Sequence, residues 1–275
     1  MRKDKTLTII TDSKKDDLGL GDYLRIISFL PNLKFNIINW ISDKKVINVA
    51  KLSDRINNFS LIQSKKEKKL IKKSDLILNL YIYKKNNKQN IYLRNILDSG
   101  DNTKQKTLNI YENLSKIFNI KKYKIYSNKK LSKTVKYDFF FNWITPKDWK
   151  IKNYPKKSWK LLEEKLKENS QKKILWQNNN DGFLNYVKKI KNSKVVISVV
   201  GLGCHLAMLF DKPLVVLAGP TYFNEIDKYK KAKIVKPNKF CKIHSKKLNV
   251  KVKSCDCMNN IKYINIFKTI KKNYA

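Results

Sequence analysis

Apolar runs alternate with amphipathic stretches along the chain, most regularly at residues 194–221. Residues 195–200 are apolar and rich in β-branched side chains, which predicts a buried parallel strand. A turn with two glycines follows, and residues 205–210 then have the pattern of a short helix that ends before Pro213. A second apolar run, 214–218, predicts the next strand. This order is typical of an open α/β sheet, whose ligands bind beyond the carboxyl ends of the strands.

The turn at Gly201, Leu202 and Gly203 is the first candidate site. A helix N-terminus at this place carries free N–H groups and about half a positive charge, which suits a phosphate group. Tight glycine turns also occur in strand–helix–strand units that bind nothing, so the pattern alone leaves both interpretations open.

The first half of the chain shows the same alternation. Residues 7–11 predict its first strand, and the stretch GLGDYLRIISFLPNLK predicts a helix whose start or first turn holds Asp22, after a turn made by Gly19 and Gly21. Residues 90–97 fit either a strand or a helix. Further strands are predicted at 35–40, 59–62 and 76–83, and further helices at 46–52, 65–73 and 108–118.

A lysine-rich stretch with few bulky apolar residues, 121–134, predicts a domain boundary. It divides the chain into an N-terminal domain, 1–134, and a C-terminal domain, 135–275, both with Rossmann-like alternation. The last predicted helix, 261–270, has an apolar side that could pack back on the N-terminal domain. The second domain also has predicted strands at 137–143 and 173–177, a helix carrying Trp159, Leu162 and Leu166, and a helix at 182–190.

The formal net charge is +39 in 275 residues, which raises the question of nucleic-acid binding. The basic residues are nearly all lysines spread along the whole chain, whereas a reader of phosphates or bases would use more arginine. We therefore expect no nucleic-acid partner. The charge is compatible with an anionic membrane surface or glycolipid. Without an apolar span or a secretion signal in this sequence, we expect a cytoplasmic protein, with peripheral contact at the inner face of the cytoplasmic membrane.

The stretches ISVVGLGCHLA and KPLVVLAGPT resemble the signature of glycosyltransferase family nine, the ADP-heptose:lipopolysaccharide heptosyltransferases. Two positions depart from that signature: Val200 stands where the family has an acidic residue, and Gly201 where it has Ser or Thr. Denser likeness is also present at residues 19–33 and 152–159. The matching positions in the signature are His205, Leu206, Ala207, Lys212, Pro213, Gly219, Pro220 and Thr221.

The resemblance implies two Rossmann-like domains facing a cleft, the B-type glycosyltransferase fold. It also implies an inverting transfer of a heptose-like sugar from a nucleotide-diphospho-sugar, preferably ADP-linked, to a lipopolysaccharide or surface-glycan acceptor. The acceptor belongs to the N-terminal domain and the donor to the C-terminal one. No cofactor is implied, since the nucleotide sugar is a substrate.

The resemblance also assigns residues. Asp22 matches the family's proposed catalytic base, although an aspartate before an apolar helix is commonly a plain helix cap. Lys152 matches a lysine that contacts the donor phosphates, although lysine is the commonest residue of this chain. Glu225 is a candidate ribose contact or a solvated helix start. The predicted donor-binding residues are Lys152, Gly201, Leu202, Gly203, His205, Gly219, Pro220, Thr221 and Glu225.

The C-terminal segment carries a set of metal-ligand residue types, Cys241, His244, Cys255 and Cys257. Their types and spacing are compatible with a tetrahedral zinc site, although zinc sites favour tighter Cys-x-x-Cys pairs. The family's cysteine-bearing tail is not generally a metal site, so the resemblance implies no metal. Because no secretion signal is visible, we expect no disulfide framework.

Two other functions remain open on the sequence. A non-catalytic relative that binds a glycan or a partner would explain Val200 and Gly201. A nucleic-acid-binding protein is motivated by the charge alone, and its affinity for DNA or RNA would fall steeply with salt.

Overall fold

The computed structural model describes residues 5–15, 18–80, 90–92, 110–128, 135–168, 171–246 and 255–274. The chain divides into two compact units, Met1–Tyr126 and Ser127–Ala275. The division falls inside the lysine-rich stretch 121–134, eight residues before the boundary that the sequence placed after residue 134. Each unit contains its own five-stranded parallel sheet.

The first unit alternates strands and helices. The strands are β1 (Thr6–Ile10), β2 (Ile37–Ser42), β3 (Asn58–Leu61), β4 (Leu76–Asn79) and β5 (Asn90–Tyr92), and the helices are α1 (Leu20–Phe29), α2 (Lys44–Ala50), α3 (Lys65–Lys72) and α4 (Ile110–Ile117). The strand order is β3-β2-β1-β4-β5. The central strand β1 is buried along its whole length, as the apolar run in the sequence predicts for the middle of a parallel sheet.

The predicted elements of this half are confirmed, with two differences. Strand β4 ends at Asn79, whereas the prediction ran to residue 83, and the open prediction at 90–97 becomes strand β5. Residues 81–83, 93–97 and 108–109 of those predictions lie outside the described residues.

Helix α1 begins earlier than the glycines suggest. Its N-cap is Gly19, and Gly21 is its second residue rather than part of a turn, which corrects the prediction. The buried side of the helix includes Tyr23, Leu24 and Ile27, because these apolar residues recur at helical spacing. The helix runs into a short 3-10 turn, Leu30–Asn32, whose proline prevents its continuation.

The second unit repeats the alternation. Its strands are β6 (Tyr137–Asn142), β7 (Ile174–Trp176), β8 (Ser193–Val199), β9 (Leu214–Leu217) and β10 (Ala232–Val235), and its helices are α5 (Lys156–Lys167), α6 (Phe183–Lys191), α7 (Leu202–Leu209), α8 (Asn224–Asp227) and α9 (Tyr263–Tyr274). The strand order is β10-β9-β8-β6-β7, and all neighbouring pairs are parallel.

Aromatic packing dominates one face of the second sheet. The Trp159 ring of α5 is fully buried, with its centroid 4.9 Å from that of Phe141 on β6. Helix α9 packs against α5 and places Ile266 and Ile270 in the same core. The last helix therefore buries these two side chains within its own unit. Its packing against the N-terminal domain stays a prediction.

A membrane-spanning helix must be about 20 residues long and almost entirely apolar. No helix of the described residues combines the necessary length with the necessary apolar character.

Helix α2 is capped by a carboxylate. Asp43 Oδ1 accepts hydrogen bonds from the backbone N–H groups of Lys45 and Val46, at 2.8 and 3.2 Å. Its second oxygen accepts the N–H of Ser13, in the loop after β1, at 2.8 Å. Partial burial favours the neutral acid, but these N–H donors outweigh it, so the pKa of Asp43 lies below its ordinary value.

This cap predicts a pH-dependent contribution to stability. Asp43→Ala should lower the free energy of unfolding by about 1 kcal/mol at neutral pH, and Asp43→Asn should lose less because it keeps a side-chain oxygen. Since the folded-state pKa is lowered, the charge contribution is present above the unfolded pKa of about 3.9 and is lost as pH falls through the folded value. Urea unfolding at neutral and acid pH measures it. An advantage of the wild type over Asp43→Asn that persists unchanged in acid would contradict the assignment.

Candidate functional site

The second sheet reverses its strand order at its centre. The chain passes from β6 outward to β7, then returns to the other side of β6 to form β8, β9 and β10. The carboxyl ends of β6 and β8 therefore lie side by side at a topological switch point, where open α/β sheets bind their ligands. Strand β6 ends at Asn142, and β8 is followed directly by the Gly201 turn.

Helix α7 starts at this switch point. Its N-cap is Gly201, which is extended rather than left-handed, and a side chain added there would meet no atom within 4 Å. The described residues therefore leave room beside the Gly201 Cα for another group. The sequence predicted a helix from residue 205; the helix instead begins at Leu202, so Leu202 and Gly203 belong to its first turn.

Residue 203 must be a glycine because the side chains of Asn142 and Tyr186 lie against its backbone. A Cβ at this residue would overlap the Asn142 amide and would lie 2.8 Å from the Tyr186 hydroxyl oxygen. Tyr186 donates to Asn142 Oδ1 at 2.7 Å, and Asn142 Nδ2 donates to Ser198 Oγ at 2.7 Å. Burial raises the pKa of Tyr186 far above its ordinary value, so the phenol stays a neutral donor.

This buried network was not predicted from the sequence. Asn142 does carry a signal, because it is a polar residue directly after the aromatic run of β6, at the carboxyl end of a buried strand. Tyr186 has none, since its spacing in α6 is that of an ordinary core residue.

Lys152 lies in the segment that follows β6, the neighbour of β8 in the second sheet. It ends a 3-10 segment, Lys147–Lys152, and its Nζ lies 4.1 Å from the centroid of the Trp149 ring. Burial raises the pKa of the Cys204 thiol in the first turn of α7, and the charge of Lys152 is among the influences that oppose this rise.

Other predicted donor residues are less accessible. His205 is 8% exposed and Thr221 is 3% exposed. Gly219 follows β9 and is covered by Met258, whose Cγ would lie 3.0 Å from an added Cβ. Pro220 is buried beside it. Glu225 lies in helix α8, but its side chain is outside the described part of the structure.

Asp22 occupies the first turn of α1, as predicted, in the helix that follows the central strand β1. Its Oδ2 accepts the backbone N–H of Gly19 at 2.6 Å, and its Oδ1 pairs with the Arg25 guanidinium. The side chain is 22% exposed. Asp22 thus stabilises the start of α1 and still presents part of its carboxylate to the surface; its role as a proton acceptor stays a prediction.

The candidate metal ligands come together in the fold. The ligand atoms of Cys241, His244, Cys255 and Cys257 all lie within 4.8 Å of one another. In the sequence, ten residues separate the Cys241/His244 pair from the Cys255/Cys257 pair. Residue types and spacing made these four a candidate set, and the fold shows that their ligand atoms lie close together.

The glycines at the start of α7 predict a contrast between two matched substitutions. Gly203→Ala should destabilise the protein by about 1–3 kcal/mol, because the added methyl overpacks against a rigid hydrogen-bonded pair. Gly201→Ala should cost well under about 1 kcal/mol, the usual difference between good and poor N-cap residues. Thermal unfolding of both variants measures this. Equal melting temperatures for the two variants would show that the approach of α7 to Asn142 is looser than described.

No protein-family model matches the chain, and no curated protein sequence matches it. Solved structures do match. The glycosyltransferase family 9 protein of Veillonella parvula DSM 2008 has a TM-score of 0.64 at 12% identity, covering 99% of this chain and 98% of its own. The E. coli heptosyltransferase WaaC with ADP-2-deoxy-2-fluoro heptose has a TM-score of 0.63 at 11% identity, covering 98% and 99%.

A third match is the iron-containing dodecameric glycosyltransferase TibC from enterotoxigenic E. coli H10407. Its TM-score is 0.63 at 10% identity, and the match covers 100% of this chain and 77% of TibC. At such identities a structural likeness establishes the fold alone. The predicted fold class is confirmed: the chain has the α/β fold of these glycosyltransferases, with two Rossmann-like parallel-sheet domains.

Proposed function

We propose that the chain is an inverting glycosyltransferase that moves a heptose-like sugar from an ADP-linked donor to a lipopolysaccharide or other surface-glycan acceptor. The observation that carries this proposal is the start of α7 at the switch point of the second sheet. There a Cβ added at the N-cap Gly201 would meet no atom of the described residues within 4 Å, and the helix places its positive end at the carboxyl ends of β6 and β8. The fold supports the reaction class, and WaaC, which shares it, was solved with ADP and with an ADP-heptose analogue.

The donor's diphosphate is the group that this site suits. The first backbone N–H groups of a helix have no carbonyl four residues before them, and they lie at its positive end. In α7 the Cys204 N–H already donates to the Gly201 carbonyl at 3.0 Å, so we assign the N–H groups of Leu202 and Gly203 to the donor. The absence of a side chain at Gly201 lets phosphate oxygens approach these groups closely. Lys152 supplies a compact positive charge for the same oxygens. Both features stabilise the negative charge that grows on the diphosphate as it leaves.

The transfer is a single displacement. The acceptor hydroxyl oxygen attacks the anomeric carbon on the face opposite the diphosphate, the bond from that carbon to the phosphate oxygen breaks, and the nucleoside diphosphate leaves with the bonding pair. The acceptor's proton passes to a carboxylate, a role we give to Asp22 because it matches the family motif and is partly exposed. Much of the rate comes from holding both substrates in line.

Two observations favour a second candidate function, a non-catalytic relative that binds a glycan or a partner. Val200, at the end of β8, cannot accept a hydrogen bond where the family places an acidic residue. Asp22 is also held by Gly19 and Arg25 in the manner of an ordinary helix cap. Donor binding without turnover would favour this alternative.

Donor binding predicts a selective rise in thermal stability. A ligand that binds only the native state stabilises it. Since the proposed donor is ADP-linked, ADP should raise the melting temperature more than GDP or UDP. Lys152→Ala should weaken ADP binding by roughly tenfold, which corresponds to about 1.4 kcal/mol. The matched control is Lys160→Ala, which removes an exposed lysine on α5. If no nucleotide stabilises the folded wild type, or if Lys160→Ala weakens ADP as much as Lys152→Ala does, the proposed donor site is wrong.

The role of Asp22 predicts a loss of turnover with binding retained. Asp22→Asn should lower ADP release from ADP-heptose, in the presence of a lipopolysaccharide precursor, by about 10²–10⁴-fold, the usual contribution of a general base. It keeps an oxygen for the Gly19 N–H but loses the charge that pairs with Arg25, so the free energy of unfolding should fall by at most about 1 kcal/mol, the usual contribution of a partly exposed ion pair. The thermal shift with ADP should be unchanged. A variant that turns over at the wild-type rate would remove Asp22 as the base.

A further inference from the structure

Four side chains with metal-binding atoms converge in the C-terminal segment of the second unit. They are two half-buried thiols, Cys241 and Cys255, a fully buried thiol, Cys257, and the His244 imidazole, which is 2% exposed. We propose that they bind one tetrahedral transition-metal ion through three thiolates and the imidazole Nδ1. This site shares no residue with the proposed donor site and takes no part in the transfer reaction.

Two of the four distances between the ligand atoms fit a tetrahedral ion as they stand. The Sγ atoms of Cys241 and Cys255 are 3.7 Å apart, and Cys257 Sγ is 3.6 Å from His244 Nδ1. Thiolate and imidazole bonds of ordinary length require about 3.8 Å between two sulfurs and about 3.6 Å between sulfur and nitrogen. Nδ1 lies closer to Cys241 and Cys255, at 2.9 and 3.1 Å. An ion at the centre therefore requires the imidazole to shift outward by roughly half an ångström.

The backbone already supports thiolates at this place. The N–H of Cys241 donates to Cys257 Sγ at 3.3 Å, and the N–H of Cys257 donates to Cys255 Sγ at 3.3 Å. Such hydrogen bonds stabilise the negative charge on metal-bound sulfur and orient it toward the ion. Each pair of ligands lies in or beside a hydrogen-bonded turn. The Ser245 N–H donates to the Cys241 carbonyl, and the Asn260 N–H donates to the Asp256 carbonyl.

A disulfide is the main competing use of these cysteines. It would require the Cys241 and Cys255 sulfurs to approach from 3.7 Å to about 2.05 Å. It would also use two of the four groups and give no reason for a buried imidazole whose Nδ1 faces all three sulfurs. A single ion uses all four groups at once, and the exposed lysines Lys242 and Lys246 suit the net negative charge of three thiolates around a divalent ion.

The ion's role follows from what the segment touches. Met258 comes directly after the ligand Cys257 and packs against Gly219, the first residue of the turn after β9. Ile261, three residues further on, belongs to the aromatic core of the second unit. The ion would therefore fix residues 255–261, which form neither a helix nor a strand, against that turn and that core. This is a structural site in which the protein supplies all four ligands.

Elemental analysis of the full chain tests the site directly. Protein purified under reducing conditions without chelator should carry about one equivalent of a tetrahedral transition ion. Zinc and iron share this thiolate chemistry, and the analysis distinguishes them; either ion at one equivalent supports the site. After removal of the ion, titration with Co²⁺ should give the sulfur-to-cobalt charge-transfer band and the intense visible bands of a tetrahedral complex.

Matched variants separate the cluster from thiols in general. Cys255→Ser should lower the Co²⁺ affinity by at least about 100-fold, since even loss of an outer-shell partner costs about 10–100-fold. His244→Cys should keep a tetrahedral spectrum with a stronger charge-transfer band. Cys204→Ala, which removes a buried thiol outside the cluster, should keep one equivalent of metal.

If a variant fails to fold, metal removal from the wild type tests the same site. Chelation should lower its melting temperature, and Zn²⁺ should restore it. Protein with no bound metal, no tetrahedral cobalt spectrum when reduced, or an intact mass two hydrogens lower from a disulfide would overturn the proposal. Equal metal content in the wild type and Cys255→Ser would do the same.

Discussion

The second unit depends on the close contact between the first turn of α7 and the buried Asn142 side chain. Gly203 is the contact point, and any larger residue there would push the helix away from the ends of β6 and β8. Asn142 cannot yield easily, because it is held by Tyr186 on one side and Ser198 on the other. A buried polar group that loses such partners costs about 1–3 kcal/mol, so the pair holds its place and the helix conforms to it. The position of the helix N-terminus over the switch point follows from this packing.

The sequence identified the strands of both sheets because each is an apolar, β-branched or aromatic run of strand length. It placed the start of α7 three residues too late, since Gly203 resembles a turn residue when its neighbours in space are unknown. The same reason hid Asn142 and Tyr186. Their importance comes from a hydrogen bond between residues 44 positions apart, and no local periodicity encodes such a pair. The close approach of the three cysteines to His244 could likewise not be predicted from local spacing, because residues far apart in the sequence must fold together to bring them into contact.

Part of the family-like signature has a structural explanation. Asp211 ends α7 in a left-handed conformation with φ of 54°, and its carboxylate binds Lys231. The Lys212 N–H then returns to the Ala207 carbonyl at 2.8 Å, which satisfies the end of the helix. Burial, with Lys191 and Lys231 nearby, lowers the pKa of Lys212. Lys212 and Pro213 thus terminate the helix and begin β9, and their match to the signature is evidence for the fold rather than for donor contact.

The glycines of the signature separate in the same way. Gly203 is small because Asn142 and Tyr186 lie against it, and Gly219 is small because Met258 covers it. Either requirement would hold in a protein that binds no nucleotide. Gly201 differs, since a side chain there would meet nothing within 4 Å and its backbone is extended rather than left-handed. Neither packing nor backbone conformation requires a glycine at that position. The open space beside Gly201 is compatible with a ligand at the helix N-terminus, but the family signature has Ser or Thr at this position, so phosphate binding does not by itself require a glycine there.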